Sequence, residues 1–100
     1  MNEVEFRNWM TKKGTKTKII SDCISRLRRI EREFDHCDLD EEYRSDRCEF
    51  LMAAFEQMGQ NEKMKRYPNA NLPIGKYYMS TYRYSLKQYV AFMDAETNKH

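Results

Sequence analysis

Between Thr17 and Phe34 the apolar residues Ile20, Cys23, Ile24, Leu27, Ile30 and Phe34 return every three or four positions. This spacing lays them along one side of an α-helix, whereas a strand would scatter them over both faces. The stripe predicts a helix over about 17–34. It also dictates the rest of the fold, because an amphipathic helix must bury its apolar face against other elements. Either Thr15 or Thr17 can cap its start.

Three further stretches can supply the cover. Residues 4–13 place Phe6, Trp9 and Met10 on one face, with acidic residues early, Lys12 and Lys13 late, and Gly14 as a left-handed terminator. Asp46 and Glu49 form a D-x-x-E capping pattern ahead of a helix expected over about 47–58. That helix would bury Cys48, Leu51, Met52, Phe55 and Met58, and a short helical turn can precede it after Asp40. The last helix is expected over about 78–95, with Tyr78, Met79, Tyr82, Leu86, Tyr89, Val90 and Met93 as its stripe. Residues 59–75 hold two glycines, two prolines and three asparagines and read as a long loop.

The expectation is therefore an all-α chain, one domain over 1–100, built as a small bundle of four main helices. Its 100 residues are 40% apolar and 34% charged, enough for one modest core under a polar surface. With no long apolar run and no leader-like start, a soluble, cytoplasmic protein without a membrane partner is expected. Cys23, Cys37 and Cys48 form no C-x-x-C pair and read as free thiols of a reducing compartment.

Few catalytic signals are present. His36 lies in a connector and His100 ends the sequence, and there is no P-loop or nucleophile-elbow motif. Asp38, Asp40, Glu42, Asp46 and Glu49 match five positions of a calcium loop. However, Tyr43 stands where that loop needs glycine to turn. No enzyme, no cofactor and no metal site is expected.

Charge is segregated. Lys and Arg outnumber Asp and Glu nine to five in residues 1–34 and seven to three in 57–100, but fall behind two to eight in 35–56. Such a layout speaks of partners rather than of fold. On a helical wheel, Lys18, Ser21, Ser25, Arg29 and Arg32 oppose the stripe of the 17–34 helix, with Arg26 and Arg28 at its borders. Ser80, Arg83, Tyr84, Lys87 and Gln88 oppose the stripe of the last helix. Cations mixed with hydroxyls, an amide and an aromatic suit phosphate and base contacts. Ion pairing at the surface is the competing reading, since Asp22 can reach Arg26 and Glu33 can reach Arg29.

The stretches "FRNWMTKKGTKTKIISDCISRLRRIEREF" and "STYRYSLKQYVAFM" resemble the core-binding domain of tyrosine recombinases, a small helical domain of the SAM-like type. That resemblance implies a DNA clamp whose second and last helices face the duplex. By position it points to Thr15, Lys16, Thr17, Lys18, Arg28 and Arg29 on the former, and to Ser80, Arg83, Tyr84 and Lys87 on the latter. The family's catalytic domain and its arginine–histidine–tyrosine set are absent from this sequence, so recombination itself is not implied. Double-stranded DNA is the first expected partner. The alternative is a module or small inhibitor that docks on a nucleic-acid-processing protein through its acidic segment.

Overall fold

A computed structural model describes residues 1–34, 37–55 and 76–98, with the side chains of 76–78 excepted. The expected loop 59–75 and Met58 lie outside the described residues, and the Tyr78 side chain is among those excepted. Among the described residues there are five helices and no strand: α1 Glu3–Lys12, α2 Thr17–Glu33, α3 Leu39–Asp46, α4 Glu49–Ala54 and α5 Lys76–Thr97. The chain is all-α, a small helical bundle.

Gly14 closes α1 with φ +89°. Its amide donates to the Thr11 carbonyl (3.0 Å), and the Thr15 amide donates to that of Met10 (3.1 Å). These are the paired bonds of a left-handed glycine cap. The arrangement also corrects the expected cap of α2. Thr15 lies one residue too early to flank the helix, and Thr17 is already helical. The N-cap is Lys16, extended and without a side-chain bond to the helix.

A second correction concerns 47–58. Helix begins earlier, at Leu39, where Asp38 Oδ1 caps the Asp40 amide at 2.9 Å. It then breaks at Arg47 (φ 56°) and Cys48 (φ 62°), two consecutive left-handed residues that are not glycine. The break folds α4 back, so Asp46 Oδ2 accepts the Phe50 amide at 3.1 Å. Asp46 thus holds the start of α4 as its sequence position suggests, from across a sharp corner.

α1, α2 and α5 pack against one another, and α3 pairs with α4. Ile20, Cys23, Ile24, Leu27, Ile30 and Phe34 are all buried, so every member of the α2 stripe points inward. Leu27 and Phe55 belong to the same core. The α5 stripe is rotated from the expected one. Phe92 and Ser85 are inside, Val90 sits at the edge, and Met93 packs against the core while partly buried. The cause is α1, whose Phe6 meets Phe92 edge-on at 5.6 Å and Tyr89 at 5.3 Å. Trp9 is only partly buried, lying between Phe6 (6.3 Å) and Phe92 (6.0 Å). At the other end of the core, Phe55 lies flat between Phe34 (5.7 Å) and Tyr82 (5.5 Å), with both ring pairs within 10° of parallel.

Candidate nucleic-acid interface

The ten residues singled out from sequence are placed by the fold in different ways. Lys16, Thr17, Lys18, Ser80, Tyr84 and Lys87 are exposed, and Thr15 and Arg29 are partly buried. Arg28 is exposed but ion-paired with Glu3 of α1. Arg83 is turned inward, where its guanidinium donates to the Phe55 carbonyl at 2.5 Å.

At 100° per residue, α5 has an inward arc through Met79, Tyr82, Ser85, Leu86, Tyr89 and Phe92. One border of that arc carries Arg83, Lys87, Val90 and Asp94 and faces α3 and α4. Asp94 accepts from the Tyr43 hydroxyl and from Arg47, both at 2.6 Å. Lys87 and Val90 line a shallow groove with Arg47, Glu49 and Met52. The opposite border carries Gln88 and faces the α1–α2 turn, where Lys13 donates to the Gln88 side-chain oxygen. Cys23 of α2 and Ser85 of α5 are both buried where these helices pack, and the Ser85 hydroxyl donates to the Thr81 carbonyl at 3.0 Å. Tyr84 stands on the outer crest, one turn before Gln88.

The surface assembled around the α1–α2 turn therefore differs from the one drawn on wheels. Arg28 leaves towards α1, and Arg83 and Lys87 lean towards α4. Lys13, Lys16 and Lys18 follow one another along the turn, and Lys13 joins it to Gln88, one turn from Tyr84. Lys13 also sits 4.5 Å over the Trp9 ring. Among the described residues, Lys13, Lys16 and Lys18 have no ion pair, whereas Arg28, Arg32 and Arg47 each have a carboxylate. Lys13 was absent from the site read from sequence, although a signal for it existed. Residues 6–21 contain five Lys or Arg and no Asp or Glu.

Local structure explains why these lysines have no carboxylate partner among the described residues. The glycine cap reverses the chain within two residues, so the last turn of α1 and the first of α2 share one end of the bundle. The first turn of α2 contains no acid, which leaves its amide ends and its lysines with one sign of charge.

The acidic segment is occupied differently. Asp38 and Asp46 cap helices, and Asp40 accepts the buried Tyr89 hydroxyl. Burial, reinforced by the Asp40 hydrogen bond, raises the Tyr89 phenol above its ordinary range. Glu42 is pushed up by burial and then by Asp46 and Glu41. Among the described residues, no three His, Cys, Asp or Glu are placed to hold a metal ion. The cysteines are free thiols, with burial pushing Cys37 and Cys48 up to about 12. Among the described residues, no helix is long and apolar enough to cross a membrane.

No protein-family model matches this chain, and neither a curated protein nor a solved structure matches it.

Proposed function

We propose that this chain is a non-enzymatic nucleic-acid-binding module, and that its contact surface is the α1–α2 turn with the adjoining crests of α2 and α5. The observation that carries this reading is the cluster of Lys13, Lys16 and Lys18 without ion pairs among the described residues. Amines that the fold leaves unneutralised are available to phosphates, and the counterions they displace provide the driving force. Tyr84, Gln88, Thr15 and Thr17 add groups that position a backbone or touch a base. The resemblance to recombinase core-binding domains agrees in placing the head of the second helix and the last helix at the nucleic acid. The rival surface, the acidic segment, is less available because Asp38, Asp40 and Asp46 already hold α3, α4 and α5 together.

Fluorescence anisotropy against duplex DNA, single-stranded DNA and RNA over a salt series tests the proposal. Affinity falls steeply with salt for the native chain. Joint replacement of Lys13, Lys16 and Lys18 by alanine weakens binding and flattens the log–log salt slope by roughly two to three units. Absence of salt-sensitive binding to every nucleic acid at low ionic strength overturns it.

A further inference from the structure

Tyr84 and Ile19 are the large apolar side chains left open at this surface, 40% and 39% exposed. Ile19 lies one turn before the buried Cys23 of α2, and Tyr84 is next to the buried Ser85 of α5, in two helices that pack against each other. The two therefore flank the same seam between α2 and α5. Along the crest of α5, Ser80 precedes Tyr84 by one turn and Ala91 follows by two, and both are small and exposed. Between Tyr84 and Ala91 on that line stands Gln88. Gln88, one turn after Tyr84, is held through its oxygen by Lys13. Its amide hydrogens remain for an acceptor.

On this basis, and resting on the nucleic-acid reading above, we propose that the surface takes a single strand, with an unpaired base on the Tyr84 ring and flanking phosphates on Lys13, Lys16 and Lys18. The chemistry of the two partners decides between strand types. In a duplex the base faces are covered by their neighbours and offer an exposed ring no face to stack on. An unpaired strand offers both a π-face for the ring and charge for the amines, the pairing that single-strand binders use. Gln88 supplies donors for the edge of the stacked base, and Ile19 supplies an apolar wall for the next sugar or base. DNA and RNA share this chemistry.

The test compares short labelled oligothymidine, oligouridine, a duplex of equal length and an abasic oligonucleotide, with native protein, Tyr84→Ala and Tyr84→Phe. The expected result is at least one single strand bound roughly tenfold tighter than the duplex. Tyr84→Ala loses about fivefold or more on that strand and little on the abasic backbone, while Tyr84→Phe keeps native affinity. Circular dichroism and melting confirm that each variant is folded, as expected at an exposed helix position. Equal or tighter duplex binding with the lysine-dependent salt slope intact overturns the single-strand inference and leaves the nucleic-acid reading standing. So does an equal loss on abasic and base-bearing strands. No binding to any of the four oligonucleotides overturns both.

Discussion

Arg83 donates from its guanidinium to the main-chain carbonyl of Phe55 at 2.5 Å, joining α5 to the end of α4. The carbonyls of a helix's last turn lack intrahelical donors, and this cation supplies one. Arg83→Ala is expected to lower stability by about 1.5–3 kcal/mol, the range for a hydrogen bond from a charged group. Urea denaturation gives the stability. The same variant, measured under folding conditions, is expected to leave the salt slope of nucleic-acid binding close to native.

Phe55 is fully buried, with parallel rings on both sides. Phe55→Ala removes both contacts and leaves a cavity, at an expected cost of about 3–5 kcal/mol. Phe55→Leu refills part of that volume and is expected to recover part of the loss. Chemical denaturation of the pair measures the difference. Equal midpoints for Phe55→Ala and the native chain would contradict the packing described.

Asp94 is held below its ordinary value of 3.8 by the Arg47 hydrogen bond and then by that of Tyr43. A depressed carboxyl stabilises the fold at pH above its unfolded value and loses that contribution as pH falls through the folded one. The native chain is therefore expected to exceed Asp94→Asn in stability at neutral pH. The gap should narrow below about pH 4. Denaturation midpoints of both proteins from pH 7 down to the acid limit provide the check. Because Arg47 and Asp94 are partly in solvent, salt should shrink the gap as well.

Arg47 adopts φ 56° and Cys48 φ 62°, a region where side chains other than glycine meet the following carbonyl. Arg47→Ala and Arg47→Gly both lose the Asp94 pair, but only glycine relieves the backbone. The glycine variant is expected to melt about 4–8 °C above the alanine variant. Differential scanning calorimetry distinguishes them. An alanine variant melting at or above the glycine variant would mean that the corner carries no strain.

Local sequence patterns were enough to read α2 and the end of α1. Six residues at helical spacing and one glycine specify them, and every member of the α2 stripe is buried. The corner at Arg47 and Cys48 was hidden because its sequence carries neither glycine nor asparagine, the usual markers of left-handed backbone. Tertiary packing imposes it. The rotation of the α5 stripe was hidden for a related reason. Phe92 becomes inward only because Phe6 and Trp9, more than 80 positions earlier, lie on that side. Of the candidate surface, the exposure of Tyr84 and Lys18 followed from the wheel. The diversion of Arg28 to Glu3 and of Arg83 to Phe55 did not, since a wheel places a side chain on a face but not with a partner on another helix.

α4 is six residues long, well short of what an isolated helix needs to persist in water. Its first turn is held by Asp46 from the corner before it, and its last by Arg83 from α5. Amide exchange in α4 should accordingly report the docking of α5 rather than any intrinsic tendency to coil. A ligand that loosens α5 around Arg83 would then release α4 along with it, making this short helix a gauge of what happens at the neighbouring Tyr84.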